Sequence, residues 1–240
     1  MAGHSKWANI RHRKGAQDAK RSKVFTKIIK EITISAKIGG SDLDANPSLR
    51  SLVIKAKSFN VPRQNIERAI KKGTGEIEGI NYCDIRYEGF GPGGIAIIID
   101  TITDNKNRTV GEIRHILTRY NGNMGENGSA SHLFDRVGSL YLKESSYDED
   151  KLFEDIVFSG ADDYYLNNNK CIVYTKPDLI NSVKNKLEKL KYNITEVTLE
   201  MIAKSNVDIS PETSLLVDPL MFKLEDHDDV QAIYSNANLI

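Results

Sequence analysis

The apolar period of this chain changes near residue 75, and that change limits what it can fold into. Up to Gly73 the apolar residues recur at the helical period; strand-like stretches first appear at Tyr82. From Ser22, the residues Val24, Phe25, Ile28, Ile29, Ile32 and Ala36 fall on one side of a helix, with Lys20, Lys23, Lys27, Lys30 and Lys37 on the opposite side, until Gly39-Gly40 stops it. A second helix opens with Asn46 as cap and Pro47 as its first residue, turning Leu49, Leu52, Val53 and Ala56 inward and Arg50, Lys55 and Lys57 outward. A third follows Val61-Pro62, buries Ile66, Ala69 and Ile70, and ends at Lys71-Lys72-Gly73, where cations meet the negative end of the helix dipole and glycine supplies the left-handed cap. Residues 73–79 read as a linker.

Beyond it, strand signals at 82–88 and 95–101 flank the loop Glu88-Gly-Phe-Gly-Pro-Gly-Gly94, and a helical pattern runs over 105–120. The next stretch alternates as strand 138–143, helix 148–159, strand 163–167, turn 168–169, strand 170–175, helix 177–191 and strand 194–201, the β-α-β-β-α-β order of a ferredoxin-like sandwich. A helix at 212–223 and a strand at 230–235 cannot form a core alone, so they are expected to complete the half-sandwich of 80–130, with the intervening domain inserted. The fold class is therefore α+β: an N-terminal three-helix domain followed by two ferredoxin-like α/β sandwich domains. The expected boundaries are 1–78, 79–131 with 205–240, and 132–204.

The formal net charge is zero over 240 residues, and that figure conceals a polarised chain. Residues 1–75 hold 17 Lys/Arg against 5 Asp/Glu, whereas the remainder holds 16 against 28, so one pole should attract polyanions and the other repel them. No run of apolar residues is long enough to span a membrane, and the first twenty residues have no secretory apolar core. The basic start lacks an early amphipathic repeat, which argues against a transit peptide and for a cytoplasmic protein. Cys83 and Cys171 lie far apart inside strands and read as small buried hydrophobes of a reducing compartment.

Catalysis finds no support in the motifs, and no cofactor or metal is expected. The glycine loop at 88–94 precedes a strand, whereas a phosphate cradle needs a helix N-terminus after it, so it reads as a hairpin connection. His4, His12, His115, His132 and His227 show no metal-ligand spacing, and Glu225-Asp-His-Asp-Asp229 reads more simply as an acidic turn than as a cation site. The basic arm carries the functional signal. His4, Lys6, Trp7, Arg11, His12, Arg13, Lys14, Lys20, Arg21 and Lys23, continued by Lys27 and Lys30, place cations for phosphates beside rings able to stack on unpaired bases. The arm itself is expected to be extended or mobile when unbound, and it has no apolar face for a membrane.

These residues also carry a resemblance. Ala2-Gly-His-Ser-Lys-Trp7, Asn9-Ile-Arg-His-Arg-Lys14, Gln17-Asp-Ala-Lys20, Phe25-Thr-Lys27, Ala45-Asn-Pro47, Asn65-Ile-Glu-Arg-Ala-Ile-Lys-Lys-Gly73 and Tyr87-Glu-Gly89 resemble the YebC/PmpR family. So do Gly91-Pro-Gly-Gly94, Thr103-Asp-Asn105, Asn107-Arg-Thr109, Leu224-Glu-Asp226, Asp228-Asp-Val-Gln231 and Tyr234-Ser-Asn236. His132 and His227 depart from it, standing where members more often carry apolar residues. The resemblance implies three domains, one helical and two α/β, in a bacterial cytoplasmic protein that opens at the family's first motif with no room for a transit peptide. Members are usually described as probable DNA-binding transcriptional regulators. The family also contains the mitochondrial translational activator of cytochrome c oxidase, and some bacterial members are linked to ribosomes and to relief of stalling at proline runs.

Two binding functions follow as expectations: a DNA-binding transcriptional regulator, or a ribosome-associated factor that grips RNA. Lysines dominate the basic third, and lysines mostly contact phosphates, which weakens the case for sequence-specific reading. The acidic α/β domains are a possible surface for a protein partner.

Overall fold

Helix formation begins at Gln17, ahead of the first apolar residue of the amphipathic stripe. A computed structural model describes residues 17–143, 145, 147–167 and 170–239. Helix α1 (Gln17–Gly39) packs on α2 (Pro47–Ser58) and α3 (Arg63–Gly73). Their shared core is Ile28, Ile32 and Ala36 from α1, Leu49, Val53 and Ala56 from α2, and Val61, Ile66 and Ala69. Asn46 caps α2 by accepting the Leu49 N–H at 3.0 Å, and its own amide donates to Ser35 O and Gly40 O, so one buried side chain fixes both the end of α1 and the start of α2. Gly73 is required by close approach: a Cβ there would lie 2.4 Å from the Thr33 carbonyl oxygen.

Strands β1 (Cys83–Phe90) and β2 (Ala96–Thr103) form an antiparallel hairpin across the glycine loop, in the register Phe90↔Ala96 to Cys83↔Thr103. Helix α4 (Lys106–Arg119) and the short strand β3 (Asn123–Met124) follow, and β3 pairs outside β1. After the inserted segment come β8 (Val207–Ile209), α7 (Pro211–Glu225), β9 (Val230–Ser235) and β10 (Ala237–Leu239). Strand β9 joins β2, giving the order β3-β1-β2-β9, while β10 and β8 form a small parallel pair. Ile95, Ile97 and Ile99 meet Ile113 and Leu117 of α4 and Val217, Leu220, Met221 and Leu224 of α7 in a buried cluster.

The inserted unit runs Phe134–Lys204. It holds β4 (Phe134–Leu142), α5 (Glu149–Ser159), β5 (Asp163–Asn167), β6 (Lys170–Thr175), α6 (Ile180–Lys189) and β7 (Ile194–Ala203). Its sheet has the order β5-β6-β4-β7 with every neighbouring pair antiparallel, the ferredoxin-like arrangement. Leu140, Leu142, Cys171 and Val173 face Leu152 and Ile156 of α5 and Val183 and Leu187 of α6. Burial pushes the Cys171 thiol up to about 12, which makes it an inert core residue. The fold is thus α+β, with N-terminal helices followed by two sheet-and-helix layers.

The first sheet differs from the second in one respect. Its strands also pair antiparallel throughout, but its elements run β-β-α-β and, after the inserted unit, α-β. Its two central strands, β1 and β2, are therefore consecutive arms of one hairpin, whereas the central strands β4 and β6 of the second are not consecutive. The helices and this sheet belong to one compact unit, Met1–Leu133 with Ser205–Ile240.

Candidate nucleic-acid interface

The residues singled out for nucleic-acid binding divide into three groups. His4, Lys6, Trp7, Arg11, His12, Arg13 and Lys14 lie outside the described residues. Lys20 and Arg21 stand in the first turns of α1. Lys23, Lys27 and Lys30 are described, and each ammonium is engaged by the turn 225–229 of the same chain. Lys23 Nζ donates to Asp226 Oδ1 at 2.7 Å and to Asp226 O at 2.9 Å. Lys27 Nζ donates to Glu225 O at 2.8 Å. Lys30 is buried, with its ammonium 2.6 Å from Asp229 Oδ1, 3.0 Å from Asp228 O and 5.8 Å from the centre of the Tyr82 ring. The Lys30 ammonium is thus taken up by the turn's own oxygens. Helix α1 is therefore flanked twice, by the apolar stripe under α2 and α3 and by the acidic turn 225–229.

Asp229 is the centre of that second contact. Its Oδ2 accepts from Arg108 at 2.8 Å, from Thr109 Oγ1 at 2.7 Å and from Thr103 Oγ1 at 3.1 Å, while Oδ1 takes Lys30. Burial alone would raise this carboxyl, but the hydrogen bonds of Lys30, Arg108 and Thr109 outweigh it and hold Asp229 well below the ordinary carboxylate range. Arg108 is raised in turn by Asp229 and Asp104. Burial pushes the Lys27 ammonium down to about 8, although Glu225 and Asp228 pull it upward. Two of the stretches that carried the family resemblance, 103–109 and 228–231, meet in this network; their chemistry is visible only once β9 and α4 are brought together.

Glu112, His227 and Asp229 approach metal-site geometry, with one ligand atom from each within 4.8 Å of the others. Their atoms are already committed. His227 Nδ1 lies 3.1 Å from the Asp229 N–H and accepts it, so Nε2 carries the proton and donates to Glu112 at 2.9 Å. With both ring nitrogens and both Asp229 oxygens engaged, the acidic turn binds ammonium and guanidinium groups of its own chain. An open groove of about 740 Å³ runs beside it, lined by Asp104, Glu112, Asp228 and Asp229 together with Lys30 and Arg108. Acids outnumber cations there, so the groove does not suit a polyanion.

A second buried carboxylate is satisfied mainly by backbone, with the Ser131 side chain adding to it. Glu88 accepts from Gly128 N at 3.0 Å, Ala130 N at 2.6 Å and Ser131 N at 2.8 Å, pinning the glycine-rich loop after β3. Desolvation opposes its ionisation, and the three N–H groups, with the Ser131 side chain, prevail and lower it. Replacing Glu88→Ala leaves the buried Ala130 N–H without a partner and frees the less buried Gly128 and Ser131 N–H groups. The expected cost is about 2–4 kcal/mol in urea denaturation, with faster amide exchange at residues 128–131. A variant as stable as the parent would show that water replaces the carboxylate at no cost.

The exposed cations lie elsewhere, on α2 and α3. Arg50 and Lys57 point outward from α2, and Arg68 and Lys71 from α3. Among the described residues, none of these four has a carboxylate within 4 Å, whereas neighbouring Lys55 and Arg63 are paired with Glu31 and Glu67. Arg50 and Lys57, seven apart, share a face of α2; Gln64, Arg68 and Lys71 share one of α3.

Comparison with known proteins agrees with this architecture. Residues 5–76 match the model of the TACO1/YebC protein N-terminal domain, and residues 82–237 match that of the TACO1/YebC second and third domain. The chain belongs to the TACO1/YebC family. It is 49% identical over 239 residues to a "Probable transcriptional regulatory protein" of Geobacter sulfurreducens, covering 100% of this chain and 96% of that one. A protein of the same description from Desulfosudis oleivorans is 47% identical over 241 residues, covering 100% and 97%. The crystal structure of a conserved hypothetical protein from Aquifex aeolicus superposes with a TM-score of 0.89 at 40% identity over 98% of each chain. Family membership thus places the chain among proteins named as transcriptional regulators. Among its described residues, no helix is long and apolar enough to cross a membrane.

Proposed function

We propose that the chain is a nucleic-acid-binding regulator of gene expression in the cytoplasm, working by binding and without catalysis, and that it holds duplex DNA through the basic arm and the outward faces of α2 and α3. The observation that carries this reading is the division of cations: Lys23, Lys27 and Lys30 of α1 are engaged by the acidic turn, whereas Lys57, Arg68 and Lys71 face outward with, among the described residues, no carboxylate within 4 Å, and Arg50 beside them holds only the Leu43 and Asp44 carbonyls. The four-residue connection 59–62, with Asn60 at φ 58°, joins α2 to α3 at the length a helix-turn-helix uses. Gln64 and Arg68 are residue types that pair with adenine and guanine edges. The relatives' printed description as probable transcriptional regulatory proteins points the same way.

A ribosomal target is the second reading. It is favoured by Trp7, His4 and His12 within the basic arm, since flat rings among cations suit splayed bases of structured RNA. Crosslinking in cells followed by sequencing decides between them. Recovery of a few upstream gene fragments supports duplex DNA. Recovery of discrete ribosomal RNA segments supports the second reading. If neither exceeds the background of a Lys57→Glu/Arg68→Glu/Lys71→Glu control, both are overturned.

A further inference from the structure

We infer that the acidic turn 225–229 is a built-in competitor for nucleic acid: it occupies the lysine row of α1, and a bound polyphosphate displaces it. The inference rests on the function proposed above and adds a regulation of the same basic third. Lys20, Lys23, Lys27 and Lys30 recur every three or four residues, a continuous row that starts where the basic arm joins α1. Nucleic acid held by the arm arrives at the N-terminal end of this row. In the structure the row from Lys23 onward is filled by Asp226, the Glu225 carbonyl, and Asp228 and Asp229. Closely spaced anionic oxygens offered to a helical row of ammonium groups are what a phosphate backbone presents.

The contact is graded along the helix. At its inner end Lys30 and Asp229 are buried and cross-linked to Arg108, Thr103 and Thr109. At its outer end Lys23 and Asp226 are half-exposed, and Asp228 lies 3.8 Å from Lys23 at 71% side-chain exposure. Lys27, between them, is desolvated yet holds a main-chain carbonyl and, among the described residues, no carboxylate within 4 Å, so its charge is under-compensated. Exposed ion pairs contribute little and are screened by salt. The outer half of the contact can therefore be exchanged for phosphates, while the Asp229 anchor keeps the helix in place.

The test uses the full chain with Asp226→Asn/Asp228→Asn, sparing Asp229. Binding of a fluorescent 30-base-pair duplex and of an RNA hairpin is read by anisotropy, and hydrogen exchange of residues 225–230 is followed with and without the bound probe. The variant is expected to melt within a few degrees of the parent and to bind about three- to ten-fold tighter, and the probe is expected to speed exchange at 225–230 in the parent. Equal or weaker binding by a folded variant, or unchanged exchange, overturns the competitor while leaving the proposed function standing. Failure of both proteins to bind either probe at low salt overturns the proposed function and the competitor with it.

Discussion

Replacing Asp229→Asn is expected to cost about 3–5 kcal/mol of folding stability, the largest effect of any single change in the basic third or its contacts. The substitution keeps the shape but places an amide N–H beside the buried Lys30 ammonium, and Arg108, Thr103 and Thr109 lose a charged acceptor. Adding Lys30→Met should recover a substantial part, because an uncompensated buried charge costs more than an apolar residue in its place. The pH dependence carries a sign. Asp229 has a folded-state pKa depressed below its ordinary value, so its contribution is fully present above the ordinary carboxylate range. It is lost as pH falls below about 4 toward the depressed value. The variant should therefore show a flatter acid limb than the parent in denaturant melts between about pH 5 and pH 2. Parallel acid limbs, or a loss under about 1 kcal/mol, would show that the network stabilises nothing.

Reversing Lys57→Glu/Arg68→Glu/Lys71→Glu should weaken nucleic-acid binding by about 100-fold near 0.1 M salt, with no loss of structure. Each released phosphate contact costs about 1 kcal/mol at that salt, and an introduced carboxylate adds repulsion. The slope of log affinity against log salt should become shallower by about 3. All three side chains are exposed, and among the described residues they hold no ion pair, so the far-ultraviolet circular dichroism and melting temperature should stay close to those of the parent. Removing residues 1–16, which ends ahead of α1, should also weaken binding and leave both compact units folded. Should the triple reversal bind as tightly as the parent, the outward faces of α2 and α3 are not the interface.

Much of the architecture could be read from periodicity. The helix around Leu49–Val53 announced itself through its Asn46 cap and Pro47, and that around Ile66–Ile70 through three- to four-residue spacing. Gly73, however, is not the left-handed cap expected there: it ends the helix in helical conformation, Thr74 follows it, and the positive φ falls on Gly75. The order of elements in 134–204 follows from alternation of periods. Strands β3, β8 and β10 did not, because two or three residues carry no period. The start of α6 at Ile180, three residues after Pro177, follows from a turn in which Leu179 N–H bonds Lys176 O.

The site was legible in composition and misplaced in detail. Charge polarity along the sequence identified the basic third, but spacing on one helix cannot show a partner 199 residues away, so Lys30 read as a phosphate-binding cation with no sign of Asp229 beside it. Arg108 and Thr109 were visible only as matched motifs, and Asp229 only as a matched motif and the end of an acidic turn. Glu88 looked like the edge of a glycine loop, because its partners are mainly main-chain N–H groups that any sequence supplies.

The central claim, that the N-terminal third holds a polyphosphate, is tested most directly by titrating the full chain against a labelled duplex and a labelled RNA hairpin at several salt concentrations. The account predicts measurable binding to at least one of them and a log–log salt slope of about −4 or steeper. A slope near zero, or no binding to either probe at about 0.05 M salt, would contradict it.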